Sequence, residues 1–553
     1  MSETIFVGVA WPYANGSLHL GQIAGAYLAP DIFARYHRAA GNRVLMVSGS
    51  DQHGTPITVR AEQEGTTPDA IVAKYHAEFL DSWERLGISF DLYTSTGTKN
   101  HEETVHALFL RLRERGYIYR GSMLQFYDVE ARRFLPDRYI EGKCPRCGYE
   151  RARGDQCDNC GSTLDATDLI EPRSRFTGSK PELRESEHFF LRLSAFNEPL
   201  REWLSTDKEH WRSHVLNFSL GLVKEGLPDR AITRDLDWGV TVPVDDLGEG
   251  KRIYVWFEAV VGYLSASKEW AQKQGMPDAW RDFWLDPACK TYYFQGKDNI
   301  VFHTLIWPAM LMGYGELNLP YDVAANQYVN FGGAKASTSL GTAPFLPAYL
   351  ERYDADAIRF YLAAIMPENN DSDFSEEDLI RRNNEELVST WGNLANRVLT
   401  MTYRNFEGKV PQPGNLLDAD RTLLRQGEEM LVSVGESIAA CHFREGLRTA
   451  LAYATETNRY LNQEEPWKAR PDEPGATARV LYTALGAIEA LKVALYPYLP
   501  FSAQRLHALL GHDDPIDAGG WHAATPVPGA ALRQPQPLYK KLEPLELESS
   551  RSR

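Results

Sequence analysis

A group of four cysteines at metal-ligand spacing is the sharpest chemical signal in the sequence. They are Cys144, Cys147, Cys157 and Cys160. Two pairs of this kind supply the four thiolates of a tetrahedral zinc site, and an ion with all four positions filled by protein is structural. Each pair is followed by a glycine, Gly148 or Gly161, which lets the backbone turn its amides toward the sulfurs. The alternative is four reduced or disulfide-paired cysteines.

A second candidate is the turn at residues 12–22, where His19 and Gly21 precede a segment with helical periodicity. Glycine permits close approach of the backbone, a helix amino terminus offers free amide donors, and an imidazole can donate to a phosphoryl oxygen as charge develops. The pattern therefore indicates phosphate binding. Taken alone, it is also explained by His19 serving as a local helix cap, which is the commoner role.

A third candidate is the segment 332–341, which is rich in glycine and serine and carries Lys335. A lysine on a mobile loop can close over ATP and neutralise the leaving pyrophosphate. An ordinary surface loop is the alternative.

Length and composition limit the class of protein. A chain of 553 residues predicts two to four domains, and a net charge of −16 argues against a general nucleic-acid coating protein. Local basic patches would have to make any RNA contact, although charged helix surfaces also explain them. The candidate patches are Arg132, Arg133, Arg151 and Arg153, and Arg381, Arg382 and Arg397. Sparse cysteines, no signal peptide and no apolar span predict a cytoplasmic protein without membrane contact.

The elements that must position these residues follow an α/β pattern. Strands are predicted at 5–10 and 44–47, each ending in a polar loop, with a helix at 23–39 between them. This arrangement is typical of a doubly wound parallel sheet, whose ligands lie beyond the carboxyl ends of the strands. An insert of short strands follows at 117–235. Strands at 254–260 and 291–294 and a helix at 301–312 then resume the first fold.

The rest of the chain is predicted to be helical. Ser375 can cap a helix with Asp378 three residues later, and apolar residues recur at helical spacing to about residue 511. The tail from residue 513 is rich in Pro, Gly and Ala, and we expect it to wrap the surface or to be loose.

Over residues 3 to about 510 the sequence resembles the class I aminoacyl-tRNA synthetases. The 12–22 turn resembles their HIGH motif, the 332–341 segment their KMSKS loop, and residues 234–239 the segment that rejoins the nucleotide fold. Residues 10–16, 51–56, 254–263 and 296–303 look specifically methionyl, so the sequence is identified as a member of the methionyl branch.

The resemblance implies a Rossmann-like catalytic domain with an inserted zinc-knuckle domain, followed by an α-helical bundle that binds the anticodon. The expected division is 1–116 and 236–374 for the catalytic halves, 117–235 for the insert, 375–511 for the bundle and 512–553 for the tail. It also implies an enzyme, a methionine–tRNA ligase, that activates L-methionine with ATP to methionyl-adenylate and transfers it to tRNA(Met). One structural Zn2+ per chain, Mg2+ with ATP, and a monomer without an appended module are expected.

Carried over position by position, the resemblance assigns three sets of residues. The catalytic set is His19, Gln22, Lys335 and Thr338. The ATP set is Tyr13, Asn15, Gly16, His19, Gly21, Gly296, Asp298, Val329, Lys335, Ser337, Thr338 and Ser339. The methionine set is Ala10, Trp11, Tyr13, Asp51, Trp256, Ala259, Val260, Tyr263, Asn299, His303 and Trp307.

The chemistry of the methionine set suits its ligand. Aromatic walls from Trp256, Tyr263 and Trp307 fit a flexible, polarizable thioether chain. Tyr13 and His303 are expected to donate to the sulfur. In addition, Asp51 is the natural partner of the substrate ammonium. The alternative is that these aromatic residues are simply core.

Three residues of the helical part match the anticodon-reading positions of the family. Asn393 and Arg397 are four residues apart and share a helix face, and Trp467 follows a turn. An aromatic face stacks an unpaired base while polar side chains bond its edges. The alternative is a buried tryptophan beside a polar pair on a helix surface.

Two positions depart from the family pattern. Gln22 stands where the second HIGH histidine is expected, and Thr338 where the second KMSKS lysine is expected. Both changes remove groups that stabilise the transition state, so slower activation is predicted. They also leave open a diverged paralogue that activates a methionine analogue or is inhibitor-resistant, and a catalytically silent tRNA-binding protein. A leucine, isoleucine or valine enzyme is disfavoured because the insert is too small for an editing domain.

Overall fold

The first part of the chain consists of alternating strands and helices. The computed structural model describes residues 2–543 except 136–138, 155–156, 158, 161–163, 249, 333, 336–343, 469–472 and 474. The first elements are β1 (Thr4–Val9), α1 (Leu20–Gln22), a π-helix (Ile23–Tyr27), α2 (Leu28–Ala39), β2 (Arg43–Ser50), α3 (Thr55–Glu64), α4 (Pro68–Leu86), β3 (Leu92–Ser95) and α5 (Lys99–Glu114). Because β1 is buried over almost its whole length, helices must cover both of its faces.

The insert is built from antiparallel strands. Its elements are β4 (Ile118–Asp128), β5 (Arg133–Phe134), β6 (Ile140–Lys143), β7 (Ala152–Arg153), β8 (Ile170–Ser174), β9 (Glu182–Leu191), α6 (Asn197–Leu204), α7 (Ser213–Glu225), β10 (Arg230–Ala231) and β11 (Thr233–Asp235). They form a four-stranded sheet in the order β10-β9-β4-β5 and a three-stranded sheet in the order β7-β6-β8. The smaller sheet carries the cysteines.

The chain then returns to the first sheet. The elements are β12 (Lys251–Ile253), α8 (Val255–Glu258), α9 (Gly262–Lys273), α10 (Arg281–Trp284), β13 (Lys290–Gly296), a π-helix (Phe302–Ile306), α11 (Trp307–Tyr314), β14 (Asp322–Asn326), β15 (Val329–Phe331), β16 (Ala334–Lys335), α12 (Leu346–Arg352), α13 (Ala355–Ala364) and β17 (Ser372–Phe374).

The central sheet has five parallel strands in the order β14-β13-β1-β2-β3. This confirms the doubly wound prediction. The chain runs outward from β1 to β3 and later resumes on the other side of β1, so the strand order reverses between β1 and β13. Ligands of such sheets bind outside the carboxyl ends of the strands at this reversal. A π-helix lies shortly after each of the two strands that meet there, and π-helical turns are frequent at functional sites.

The prediction of a strand at 254–260 was wrong. Tyr254 is extended and caps one turn of helix, Val255–Glu258, which continues through a 3-10 turn, Ala259–Val261, into α9. The aromatic and β-branched residues of this segment favour strands only where a neighbouring strand accepts them. Here Val255, Phe257 and Val261 are buried by helical packing. The preceding strand β12 pairs with β11 outside the central sheet, and the chain re-enters that sheet at β13.

The last part of the chain is helical, as predicted. It contains α14 (Glu376–Arg382), a π-helix (Asn383–Gly392), α15 (Asn393–Asn405), α16 (Asp418–Ala439), α17 (Phe443–Glu464), α18 (Ala476–Leu495) and α19 (Pro500–Leu509). The Ser375 side chain accepts from the amide of Asp378 at 3.2 Å, which makes it the predicted cap of α14.

The tail packs on the surface up to residue 543. Leu532, Leu538 and Tyr539 are buried, and the Trp521 indole donates to the Leu431 carbonyl at 3.0 Å. Within the described part of the chain, none of the helices combines the length and the apolar composition that crossing a membrane requires.

Candidate functional site

His19 caps helix α1 through its ring nitrogen Nδ1. Its Nδ1 accepts from the amide of Gln22 at 3.3 Å, while the Gln22 side-chain oxygen accepts from the amide of His19 at 3.0 Å. Because Nδ1 accepts, the neutral imidazole carries its proton on Nε2. The capping role and the phosphate-binding role are therefore compatible. Nε2–H is a donor at the amino end of a helical segment beside the strand reversal.

The segment that carries Lys335 lies against His19 at both of its ends. Before Lys335, the Phe331 ring is edge-on to the His19 ring, with centroids 6.4 Å apart, and the backbone of Asn330 pairs with that of Lys335. After the residues outside the description, the backbone of His19 forms an isolated antiparallel β-bridge with Phe345, and the amide of Leu20 donates to the Pro344 carbonyl at 3.0 Å. Of the predicted residues, Ser337, Thr338 and Ser339 lie outside the described part of the chain.

Other predicted ATP residues lie at the ends of the same strands. Asn15 and Gly16 form a turn after β1, with the Asn15 amide donating to the Tyr13 carbonyl at 2.9 Å. Gly296 is the last residue of β13, and Asp298 lies in the 3-10 turn Lys297–Asn299 that follows it. Val329 begins β15. Gly21 is tightly packed, because a Cβ there would lie 3.2 Å from the Phe331 ring.

The loops after β1 and β2 hold Asp51 in place. The Asp51 amide donates to the Pro12 carbonyl at 2.8 Å, and its own carbonyl accepts from Ala14 at 3.0 Å. The backbones of Tyr13 and Asp51 form an isolated parallel β-bridge. The Tyr13 ring packs directly on Gly54, where a Cβ would lie 2.4 Å from the ring. Tyr13 and Asp51 are thus brought together, as a shared methionine site requires. The Ala10 amide donates to the Phe294 carbonyl of β13 at 3.0 Å.

A fully buried carboxylate lies near Asp51. Glu258 accepts from His101 Nε2 at 2.6 Å and from His53 Nδ1 at 3.0 Å. Against the effect of burial, these two histidines hold the pKa of Glu258 below its usual value. Burial, and then the charge of Glu258, raise the pKa of Asp51 well above its usual value. The His53 amide donates to Asp51 at 3.3 Å, so the same residue contacts both carboxylates.

Tyr263, His303 and Trp307 form an aromatic group that packs on one face of the central sheet. The Tyr263 hydroxyl lies 2.7 Å from His303 Nε2, and His303 Nδ1 lies 2.9 Å from the Asn299 carbonyl. Since a carbonyl only accepts, Nδ1 carries the proton and Nε2 accepts from Tyr263. Burial lowers the pKa of His303 to about 4. The expectation that His303 donates to the thioether is therefore wrong, because its single N–H is already used.

Of the other predicted methionine residues, Trp11 contacts Tyr263, and those at 256–260 lie in the segment that leads into α9. Trp11 is wedged between two glycines, since a Cβ on Gly49 or Gly262 would lie 2.3 or 2.7 Å from its ring, and it is edge-on to Tyr263. Trp256 is half-buried against Phe302. Ala259 and Val260 lie in the 3-10 turn after α8. Trp307 is fully buried and donates to the Tyr293 hydroxyl at 3.0 Å, so this residue is also core.

The four cysteines converge as a metal site requires. Their sulfurs all lie within 4.8 Å of one another, with 3.9 Å between Cys144 and Cys160 and 3.6 Å between Cys147 and Cys157. A tetrahedral ion with zinc–sulfur bonds of about 2.3 Å places its sulfurs roughly 3.8 Å apart. Backbone amides face the sulfurs of Cys147 and Cys157. Gly148 is left-handed, at φ 74°, while Gly161 lies outside the described residues. The donor set fits a zinc ion.

The three predicted RNA-reading residues share one surface. Asn393 begins α15 and is exposed, and the Arg397 guanidinium lies 5.3 Å from the centre of the Trp467 ring. Trp467 is 48% exposed, so the alternative of a buried tryptophan is wrong. Among the residues that the structure describes, no carboxylate lies within ion-pair distance of Arg397.

The remaining arginines of the candidate patches are mostly engaged within the protein. Arg381 and Arg382 pair with acidic residues of their own helical run, and Arg133 stacks on the Phe176 ring at 4.5 Å. Arg151 lies 3.8 Å from Glu141. A charged helix surface therefore accounts for Arg381 and Arg382.

Comparison with known proteins agrees with this arrangement. Residues 5–399 match the family model described as class I tRNA synthetases (M), and residues 410–553 match the anticodon binding domain of methionyl tRNA ligase. The chain belongs to the methionyl branch of the class I tRNA synthetase family. A methionine–tRNA ligase of Dehalococcoides mccartyi is 55% identical over 100% of both chains, and one of Roseiflexus castenholzii is 50% identical over 98% of this chain and 97% of its own.

Solved synthetase structures share the fold. Mycobacterium tuberculosis methionyl-tRNA synthetase bound by methionyl-adenylate matches with a TM-score of 0.80 and 26% identity, covering 97% of this chain and 100% of its own. The free enzyme of the same organism matches with a TM-score of 0.73 and 25% identity, covering 98% of this chain and 99% of its own.

Sequence reasoning missed the buried network of this synthetase. His53 and Glu258 stand inside segments recognised as methionyl, yet no role was assigned to them, and His101 was not considered. The only available signal was a charged residue within the apolar run 254–263. A glutamate among buried aromatic residues needs partners, and these partners are the two histidines.

Proposed function

We propose that this chain is a methionine–tRNA ligase that forms methionyl-adenylate from L-methionine and ATP and then charges tRNA(Met). The observation that carries the proposal is the contact of Phe331 and of Phe345, which flank Lys335 in the sequence, with the histidine that caps helix α1. This contact brings the backbone of β16, which carries Lys335, to a helix amino terminus. Asp51 and the aromatic group lie at the same end of the sheet.

The residues named above divide the work of the first step. Asp51 binds the substrate ammonium, and Tyr263, Trp11 and Trp256 enclose its side chain. The methionine carboxylate attacks the α-phosphorus of ATP in line, forming the carboxyl–phosphate bond while pyrophosphate leaves with the bonding electron pair. His19 donates through Nε2–H to a phosphoryl oxygen as charge develops, and Lys335 neutralises the pyrophosphate. Mg2+ would be held mainly by the phosphates.

In the second step a terminal hydroxyl of the tRNA attacks the activated carbonyl and AMP leaves. Trp467 would stack an anticodon base while Asn393 and Arg397 bond its edges. The four cysteines would hold one zinc ion, which would cross-link the insert and take no part in the reaction. We also propose a cytoplasmic monomer with the five-part division given above.

Methionine-dependent exchange of pyrophosphate into ATP tests the proposal. Exchange with the purified chain and its loss in His19→Ala are expected. Retained tRNA(Met) binding without exchange would instead favour the catalytically silent binder. Norleucine and other methionine analogues, assayed in parallel, would identify a diverged paralogue if one of them exceeded methionine.

The two departures from the motif predict slow activation. Gln22→His together with Thr338→Lys is expected to raise the exchange rate, because both changes return groups that stabilise developing charge. An unchanged rate in a folded double variant would refute this explanation.

A further inference from the structure

Two histidine rings stack at the carboxyl end of α19. The amide of Gly511 donates to the Ala508 carbonyl at 3.1 Å, and the amide of His512 donates to the His507 carbonyl at 3.2 Å. Gly511 is left-handed, at φ 94°. These bonds form a Schellman motif, which brings the residue after the glycine against the side chain five positions earlier. That contact is usually apolar, whereas here it joins two imidazoles.

An aspartate completes a group of metal-binding side chains at this helix end. Asp514 Oδ1 lies 3.3 Å from His507 Nε2, and one ligand atom of each of His507, His512 and Asp514 lies within 4.8 Å of the other two. Two ligands that are both about 2.1 Å from a tetrahedral ion lie roughly 3.4 Å apart. In the described part of the chain, the four cysteines are the one other group that converges in this way. Two imidazoles and a carboxylate suit zinc, whereas magnesium and calcium take oxygen ligands.

Buried charged groups of α18 lie behind the two histidines. Glu489 and Lys492 are both buried and form an ion pair with each other. Glu489 Oε1 accepts from His512 Nε2 at 2.9 Å, so that nitrogen carries the proton and Nδ1 keeps its lone pair. A carboxylate in this position is the usual second partner of a metal-binding histidine. Because Glu489 offsets the charge of Lys492, the negative charge left for a cation is that of Asp514.

One of the two rings must move before both can bind the same ion. The rings are stacked, with centroids 4.3 Å apart and planes 11° from parallel. Since the lone pair of an imidazole nitrogen lies in the ring plane, two parallel rings cannot share an ion. His507 is buried and its Nδ1 accepts from Lys492 at 2.9 Å, whereas the His512 side chain is 30% exposed and can tilt. When Nε2 of His507 binds the ion, its proton is released and the Lys492 proton passes to Nδ1.

We propose that His507, His512 and Asp514 bind one divalent transition-metal ion such as zinc, with solvent in the fourth position, separately from the four-cysteine site. The proposal does not depend on the reaction proposed above. Because His512 must leave its stacked position, this ion is expected to bind more weakly than the ion of the preformed cysteine site. The isolated protein should therefore keep the cysteine-bound ion and take up the second at micromolar free zinc. The second ion would tie the start of the tail to α19.

Zinc uptake tests the proposal. The wild type is equilibrated with buffered micromolar zinc and freed of unbound metal, and its zinc and protein contents are measured. About two ions per chain are expected, against about one in the double variant His512→Gln with Asp514→Asn. His522→Gln changes an exposed histidine of the same tail and should keep both ions. About one ion in the wild type, or about two in the double variant, would overturn the proposal.

The melting temperature distinguishes this site from adsorption elsewhere on the surface. An ion that binds only the folded state raises the melting temperature as its free concentration rises. Added zinc should produce this rise in the wild type and in His522→Gln but not in the double variant, and magnesium should produce none. An equal rise in the double variant would place the ion elsewhere and overturn the proposal. Asp514→Asn alone, with the same expected loss of the second ion, serves if the double variant does not fold.

Discussion

Gln22→Ala should separate a helix-capping role from a direct catalytic role. In the structure the Gln22 side-chain oxygen accepts from the His19 backbone amide, and the Gln22 backbone amide donates to His19 Nδ1. Alanine removes the first bond and keeps the second. His19 then retains its tautomer but loses half of the reciprocal cap that orients its ring.

The size of the effect follows from these bonds. Losing a capping hydrogen bond costs about 1 kcal/mol, which is roughly a fivefold effect on a rate if the ring orientation depends on it. Removing the donor itself, as in His19→Ala, should cost about 3 kcal/mol or more, which is a hundredfold to thousandfold loss. Gln22→Ala is therefore expected to be milder than His19→Ala by at least an order of magnitude.

Pyrophosphate exchange at saturating methionine, with ATP varied, measures both effects, and Gln22→Glu is the matched control. A glutamate oxygen can keep the cap and favours a helix amino terminus, but its charge opposes a triphosphate. It should leave the melting temperature unchanged and raise KM for ATP. The reasoning would be refuted if Gln22→Ala were as severe as His19→Ala, since Gln22 would then act on the substrate directly. An unaltered rate in Gln22→Ala would show that the cap does not position His19.

Three other outcomes are expected. KM for methionine should rise as the pH falls, because burial and the charge of Glu258 raise the pKa of Asp51, and the protonated carboxyl no longer attracts the substrate ammonium. In Glu258→Gln the same rise should begin at lower pH, as a pH series of KM values would show, provided that the variant melts normally. Trp467→Ala should raise KM for tRNA about tenfold, in line with the stacking of one base, and leave tRNA-independent exchange unchanged. Cys147→Ser should lower the zinc content, measured by elemental analysis, from about one ion per chain, and should expose the segment 140–174 to proteolysis.

The sequence was most informative where local pattern and tertiary role coincide. The strands β1, β2 and β13 each contain a short apolar run because both faces of a parallel sheet are covered, and such runs can be recognised without a structure. The cysteine pairs were equally clear, since metal-ligand spacing is a local property. Propensity failed at 254–260, where aromatic residues favour a strand in isolation but are buried on helical turns.

Hydrogen-bond roles at the site could not be predicted in the same way. His303 was assigned a donor role from its chemistry, but the Asn299 carbonyl and the Tyr263 hydroxyl fix its tautomer, and only the folded chain shows this. The partners of Glu258 lie 157 and 205 residues away in the sequence. No local pattern connects positions at such separations.

Trp11 shows how distant positions together shape the methionine pocket. Glycine weakens a strand, and within one it often marks a place where another group approaches closely. Gly8 meets the rings of Tyr293 and Tyr263, and Gly49 meets the ring of Trp11, which Gly262 contacts from α9. A side chain at position 49 would also collide with the Thr94 backbone oxygen, at 2.6 Å, and a backbone atom cannot move aside as a side chain can. Glycine at position 49 is therefore a condition for the place of Trp11, and these two residues, which are far apart in the sequence, form one structural feature.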